Sequence, residues 1–457
     1  MPDRQKTGAY LSKAVETQGL SWRSEERKGA QRISELLEKI LCRENMTEAF
    51  KRVSCNKGSA GTDGVSIEEA EAYVRDNWAG IKKQIQQRQY RPQPVRRVEI
   101  PKPNGGKRKL GMPTVMDRTI QQAVTQVIAP ICEPYFSDFS YGFRPGRSCE
   151  QAILKLLDYF NDGYEWIVDI DLEKFFDNVP QDRLMSLVHV IINDGDTESL
   201  IRKYLQAGVM VDGHYEETKL GTPQGGNLSP LLSNIMLNEL DKELDARGLR
   251  FTRYADDCVI VVKSESRAKR VMRTITDYIE RKLGLKVNAT KTHVTRPTNL
   301  KYLGFGFWKG AGKWQARPHK DSVAKFQRKL KQLCERRWNI PLDQRIIKLN
   351  QVIRGWINYF SIGSMKSAMT KVDKNLRNMI RVIIWKPWKK PSKRLWGLRK
   401  LGVPVWIAER ESQWGDHYQF IATKSSLGRA VSKQVLSKKG LVCCLDYYLE
   451  RHDLKFN

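Results

Sequence analysis

The chain has 457 residues, too many for one hydrophobic core and enough for about three domains on a prior of roughly 100–200 residues each. Its 80 Lys and Arg outnumber 51 Asp and Glu, and the formal charge of +29 calls for a polyanionic partner. Twelve Trp, 16 Tyr and 14 Phe exclude a disordered basic tail as the whole molecule.

In chain order, Ile33, Leu36, Leu37, Ile40 and Leu41 recur at helical spacing, and the Gly-rich run from Asn56 to Gly64 then reads as a loop opening the next domain. From about residue 95 to 315 short strands and helices alternate. The predicted strands are Arg97–Ile100, Glu165–Asp171, Arg250–Tyr254, Cys258–Val262 and Lys301–Trp308, and Ala268 to Leu283 reads as an amphipathic helix. The fold class is α+β. After His319 the strand signal vanishes. Val323/Phe326/Leu330, Leu349 through Phe360 and Val372 through Ile383 repeat at i, i+3/i+4, which predicts three helices. Two prolines in Trp385-Lys-Pro-Trp-Lys-Lys-Pro391 mark a hinge into a small C-terminal module.

Residues 331–457 hold 26 of the Lys and Arg and only 9 of the Asp and Glu. Within them, Lys371 to Lys400 has eleven basic residues and one acid, Asp373, interleaved with Trp385, Trp388 and Trp396. Such a pattern suits a surface that tracks phosphates and stacks bases; a solvated helix face over core tryptophans is the plainer alternative. No apolar run approaches the roughly 18–20 residues of a membrane span, and Asp3, Glu16, Glu25 and Glu26 speak against a leader, so a cytosolic protein without membrane contact is expected. The eight cysteines form no C-x-x-C pair, which points to buried thiols rather than zinc or disulfides.

The chemistry concentrates on carboxylates. Tyr254-Ala-Asp-Asp257, set between two strands, is expected to present Asp256 and Asp257 at a hairpin tip, where adjacent acids repel unless a cation lies between them. In Trp166-Ile-Val-Asp-Ile-Asp171 alternation places Asp169 and Asp171 on one face, with Asp171 at the strand end. Together these acids offer the oxygen ligands of two Mg²⁺ ions for in-line phosphoryl displacement. Taken alone, Asp171 would read as a helix cap.

Asp171 with Phe176, Gly221-Thr-Pro-Gln-Gly-Gly-Asn-Leu-Ser-Pro230, Tyr254-Ala-Asp-Asp257, Leu283 through Lys291 and Tyr302-Leu-Gly-Phe305 resemble, in order and spacing, the palm motifs of reverse transcriptases. Asn56-Lys-Gly to Gly64, Ile100 through Arg108, Ser140-Tyr-Gly-Phe-Arg-Pro145 and Arg354-Gly-Trp-Ile-Asn-Tyr-Phe360 extend the resemblance to bacterial group II intron-encoded reverse transcriptase/maturases, over roughly residues 33–390.

The resemblance implies a right-hand polymerase: an RNA-binding helical extension (1–55), fingers and palm (56–315), a three-helix thumb or maturase domain (316–390) and a small basic DNA-binding domain (391–457). It implies that Asp171, Asp256 and Asp257 are the catalytic, metal-binding acids for two Mg²⁺, with Mn²⁺ able to substitute. Phe176 would be the gate against a ribose 2′-OH, which a bulky apolar ring rejects by volume and desolvation. Either Phe175 or Phe176 could instead be plain core. Lys102 and Arg108 would close over the triphosphate, Gln224 would contact the nucleotide, and Lys291 would stand near the pyrophosphate. Arg144, Arg354, Lys386, Lys389 and Lys390 are the expected nucleic-acid contacts.

The implied partners are group II intron RNA, as template and ribozyme, a DNA target and primer, and dNTPs, in a bacterial cytoplasm. The implied activity is RNA-directed DNA synthesis joined to intron splicing and retrohoming. Cys443, Cys444, His417 and His452 make neither zinc knuckles nor a His-Asn-His core, so no DNA-endonuclease domain is expected. Two alternatives stay open at this stage. One is an RNA-binding splicing cofactor with an idle polymerase fold, which the intact acids disfavour; the other is a retron or diversity-generating polymerase, which fits the Arg354-Gly-Trp-Ile-Asn358 segment less well.

Overall fold

The computed structural model describes residues 34–101, 105–415 and 417–456. The chain begins with α1 (Glu35–Ile40), α2 (Arg43–Cys55) and α3 (Ile67–Gln86), then a hairpin of β1 (Val95–Pro101) and β2 (Lys107–Met112) leading into α4 (Val115–Cys132). Ile33, expected in the first helix, lies outside the described residues. The middle runs through α5 (Cys149–Asn161), β3 (Trp166–Ile170), α6 (Phe175–Asn178), α7 (Gln181–Ile192), α8 (Gly195–Leu205), β4 (Val209–Val211), β5 (His214–Glu216) and α9 (Ser229–Ala246). There follow β6 (Arg250–Tyr254), β7 (Asp257–Val262), α10 (Glu265–Tyr278), β8 (His293–Thr295), β9 (Phe305–Gly310) and β10 (Lys313–Pro318). The rest is helical: α11 (Lys320–Leu333), α12 (Leu342–Phe360), α13 (Lys366–Trp385), α14 (Pro391–Lys400), α15 (Val405–Ser412), α16 (Tyr418–Lys424), α17 (Leu427–Ala430), α18 (Lys433–Lys438) and α19 (Cys444–Phe456). The mixture is the expected α+β class. No described helix is long and apolar enough to cross a membrane.

Two four-stranded sheets carry the centre, ordered β2-β1-β4-β5 and β6-β7-β3-β8. In the second, β3 runs antiparallel to β7 with Trp166 opposite Val262 and Ile170 opposite Cys258, and β6 pairs with β7 up to Tyr254 opposite Asp257. The run Cys258-Val-Ile-Val-Val262 is apolar throughout because both faces of this sheet are covered. Val168, Ile170, Cys258, Ile260 and Val262 enter a core shared with α4, α7 and α9. Ile167, Val259 and Val261 enter a second core built with α5, β9, β10 and the helices from α11 to α19.

Three expectations change in detail. The strand expected over Lys301–Trp308 starts at Phe305, because Leu303 (φ +49°) and Gly304 (φ +82°) turn the chain so that Tyr302 bridges to Phe305. The helix expected to run to Leu283 gives way after Tyr278 to a π-helical turn, Ile279–Leu283, closed by left-handed Gly284. Within Lys371–Lys400, Trp385 is fully buried and Trp388 packs against it with ring centroids 5.7 Å apart; only Trp396 is exposed, beneath Lys393 and Lys400. Trp385 is therefore core, carried there by the last turn of α13, and half-buried Trp388 packs on it from the turn that follows. Asp373, the one acid of that stretch, is also buried: its carboxylate accepts from the backbone N–H groups of Cys444 and Leu445, both 2.9 Å, and so caps α19. Pro391 opens α14 at a position where its missing N–H costs nothing.

Candidate active site

The three acids expected to act together come to one end of the β6-β7-β3-β8 sheet. Continuing the β3–β7 register one step past Ile170 and Cys258 puts Asp171 opposite Asp257, a cross-strand spacing of about 4.5–5.5 Å between Cα atoms. Asp256 occupies the adjoining two-residue turn with Ala255, which takes φ +58°. Burial pushes the Asp257 carboxyl up to about 6, and the charges of Asp256, Asp169 and Asp171 push the same way against Lys291. Its side chain still reaches solvent. Asp169 is likewise pushed up to about 6, by burial and by Asp171, with His293 opposing.

Lys291 is exposed yet paired with Asp171: its Nζ lies 3.2 and 3.1 Å from the two carboxylate oxygens. The loop that delivers it is tied to the same residue, since the Asn288 N–H donates to the Asp171 carbonyl (2.8 Å) and Thr292 Oγ1 accepts from the Asp171 N–H (3.1 Å). Among the described residues, no group of three His, Cys, Asp or Glu side chains is disposed to hold a metal ion as it stands. The donor chemistry nevertheless fits a divalent cation: the ligands are all oxygen, and two of the crowded carboxyls are held above their ordinary range by burial and mutual repulsion.

A buried network fixes the acidic turn from behind. Arg253, fully buried, donates from Nε and Nη2 to the two carboxylate oxygens of Asp241 (2.7 and 2.5 Å), also fully buried. Its Nη1 donates to the Ala255 carbonyl (2.8 Å) and to Asn234 Oδ1 (3.2 Å), and Nη2 also to Ser140 Oγ (2.8 Å). Burial alone would lower the guanidinium's pKa; Asp241 more than reverses this, so it is raised. Asn234 Nδ2 in turn donates to the Gly142 carbonyl (2.8 Å). Gly142 is pressed so closely on the turn that a Cβ there would lie 2.3 Å from the Ala255 nitrogen. Arg253, Asp241 and Gly142 were not singled out from the sequence; a charged residue inside a strand facing the apolar helix α9 is the one signal that pointed to them.

Five residues on from Asp171, Phe176 borders a cleft of about 330 Å³ whose lining also includes Gln224, Lys174, Arg97, Lys109 and Gly111. Lys174 (φ +44°) turns the chain into α6, where neighbouring side chains diverge by a helical step. Phe175 is consequently buried, while Phe176 is half-buried and borders the cleft, the two rings meeting edge to face at 5.3 Å. The Gly221–Gly226 loop closes on this segment: Gly221 N–H donates to Val179 O (2.8 Å) and Thr222 N–H to Phe176 O (2.7 Å). Gly221 (φ +86°) is needed there, since a Cβ would lie 2.6 Å from the Phe176 carbonyl oxygen.

Of the other expected contacts, Lys102 lies outside the described residues. Arg108 is exposed and does not line the cleft; in the β1–β2 register, with Glu99 opposite Lys109 and Arg97 opposite Gly111, it stands on the other face. Arg97 and Lys109 take the cleft side instead. Arg144 is a correction. It is buried, its Nη1 donates to the Ser137 and Ser140 carbonyls (2.5 and 2.8 Å), and its Nε and Nη2 donate to Glu133 (3.0 and 2.7 Å), so it shapes its loop from inside rather than meeting phosphate. Arg354, Lys389 and Lys390 are exposed, whereas Lys386 is half-buried and donates to the Arg336 carbonyl (2.5 Å).

Two family models match: reverse transcriptase (RNA-dependent DNA polymerase) over residues 100–307, and the group II intron maturase-specific domain over residues 323–402. The Escherichia coli K12 protein YkfC is 33% identical over 303 residues, covering 58% of this chain and 80% of YkfC. The chain belongs to the group II intron reverse transcriptase/maturase family. The group II intron-encoded protein LtrA of Lactococcus lactis subsp. cremoris is 41% identical over 210 residues, which is 46% of this chain and 35% of LtrA. The chain thus spans about a third of the length of that relative. The putative COX1/OXI3 intron 2 protein of Saccharomyces cerevisiae is 25% identical over 398 residues, 73% of this chain and 45% of that protein. Within the family, the acids, the Phe176 segment and the Gln224 loop fall inside the reverse transcriptase match, and α11 to α14 broadly coincide with the maturase match.

Proposed function

We propose that this chain is an RNA-directed DNA polymerase that copies group II intron RNA into cDNA and also binds that RNA as a maturase, in splicing and retrohoming. The observation that carries the reading is Asp171 standing opposite Asp257 at a sheet end, next to the acidic turn, with Phe176, five residues on, and Gln224 together lining one cleft. Asp171, Asp256 and Asp257 would hold Mg²⁺, two ions per site with Mn²⁺ able to replace them. Bound divalent ions supply activation of a 3′-hydroxyl and neutralisation of the triphosphate.

The chain's own groups do the rest. Lys291, already paired with Asp171, is close enough to exchange that carboxylate for the leaving pyrophosphate and to donate a proton to it. Phe176 excludes a 2′-hydroxyl by volume, and Gln224 positions the nucleotide beside it. Arg97 and Lys109 line the cleft and take the charge-neutralising role over the triphosphate that the resemblance gave to Lys102 and Arg108. Residues 1–55 and 316–390 bind the intron RNA, the latter through exposed Arg354, Lys389 and Lys390 together with Lys386, and 391–457 binds the DNA target.

Extension of a DNA primer on an RNA template in Mg²⁺ tests the reading, with Asp256→Ala as control. Metal-dependent cDNA from the wild type and none from the variant is expected; no cDNA from the wild type refutes the polymerase assignment. Splicing of the cognate intron at low Mg²⁺ should rise on adding protein, and an unchanged rate removes the maturase part.

A further inference from the structure

Phe143 is an exposed aromatic residue in a loop that is otherwise locked. It is 55% exposed, it takes φ +58°, a backbone region that bulky residues rarely enter, and its ring lies 6.5 Å from that of Tyr254, the residue that opens the acidic turn. On one side of it Gly142 is pressed against the Ala255 backbone and held by Asn234; on the other, buried Arg144 binds the carbonyls of Ser137 and Ser140. The surroundings thus over-determine the loop while leaving the ring bare. A strained conformation kept for a ring that meets Tyr254 at a tilt and stays more than half exposed is found where a side chain must be displayed.

We propose that Phe143 is a binding residue for the primer strand, packing its ring on the sugar and base of the 3′-terminal nucleotide so that the 3′-hydroxyl faces the acids. This rests on the polymerase reading above. The occupant follows from place and chemistry. The ring stands one residue from the contact between Gly142 and the acidic turn, and the reacting 3′ end has to lie at those acids. An exposed aromatic face takes any base or deoxyribose without reading sequence, as a primer contact must.

The test is equilibrium binding of a labelled DNA primer–RNA template duplex by fluorescence anisotropy, without dNTPs, alongside steady-state extension. Phe143→Ala is expected to raise the duplex Kd and the KM for primer–template on the order of 5- to 100-fold, the range of a lost base–aromatic contact, with the KM for dNTP unchanged. Phe143→Tyr should restore both. Phe143→Gly should weaken binding like Phe143→Ala while its Tm stays level or rises, since glycine relieves the positive φ. A duplex Kd for Phe143→Ala within 2-fold of wild type, at unchanged Tm, overturns the proposal, as does a Tyr variant that binds no better than Ala. Because binding is read without chemistry, a wild type that binds duplex but makes no cDNA refutes the polymerase reading and is told apart from failure of the contact.

Discussion

Substituting Asp241→Asn isolates the buried pair that holds the acidic turn. The change keeps the shape of the side chain and removes its charge, leaving the Arg253 guanidinium fully buried with no counter-ion. Removing one member of a buried ion pair costs about 3–5 kcal/mol. In a domain of 150–250 residues each kcal/mol shifts Tm by roughly 2–4 °C, so the melting temperature should fall by about 6–20 °C. The Asp241→Leu, Arg253→Met double variant removes both charges at similar volume and should recover much of that loss. It should not recover primer extension, because the Ala255 carbonyl loses its donor and the turn that carries Asp256 loses its anchor. Thermal unfolding followed by circular dichroism and Mg²⁺-dependent extension read the two effects separately. A Tm drop under about 2 °C for Asp241→Asn, or full activity in the double variant, refutes the assignment of Arg253 as a positioning residue.

Asp117, buried at the start of α4, accepts from Tyr90 Oη (2.6 Å), Thr114 Oγ1 (2.8 Å) and the Gln93 N–H (3.2 Å), yet burial keeps its pKa above the ordinary carboxylate value. The stability it lends is then complete below the ordinary value and is lost as pH rises through the raised one. The Tm gap between wild type and Asp117→Asn should therefore narrow from pH 4.5 to 8, and a gap that widens would show the sign to be wrong. Phe176→Ala should lower selection of dGTP over GTP by roughly 10- to 200-fold in kcat/KM, whereas an unchanged ratio would make Phe176 mere cleft wall. Gly142→Ala forces a methyl group to 2.3 Å from the Ala255 nitrogen, and backbone cannot step aside as a side chain can. Extension should drop at least about tenfold for a clash near 2 kcal/mol, and wild-type kinetics would mean that the turn is not fixed by this contact.

The acids were legible in the sequence because short strands announce themselves by alternation and end where charges begin. Two such ends, Ile170 and Cys258, became neighbours through a register that their apolar runs dictate. Which of Phe175 and Phe176 meets the cleft was not legible, since it depends on a left-handed step at Lys174 that turns a strand-like segment into α6. Arg108 and Lys109 are a single residue apart, and composition cannot say which face of a hairpin each takes. Only the pairing of Pro101 with Lys107 settles that. Trp385, Trp388 and Arg144 mislead for a shared reason. A residue type suited to nucleic acid is equally suited to a core or to an internal carbonyl, and nothing local tells surface from interior. The network around Arg253 was hidden because Ser140, Asn234, Asp241 and Ala255 are distant in sequence and meet only in space.

Strand β7 sends Val259 and Val261 into one core and Cys258, Ile260 and Val262 into the other, and its first residue is Asp257. Tightly packed interiors pass small displacements on rather than absorbing them. The strand is thus a splice between two halves of the molecule, with no slack on either side of it. Were the C-terminal helices to hold RNA as proposed above, that grip and the carboxylate at the start of β7 would share one backbone.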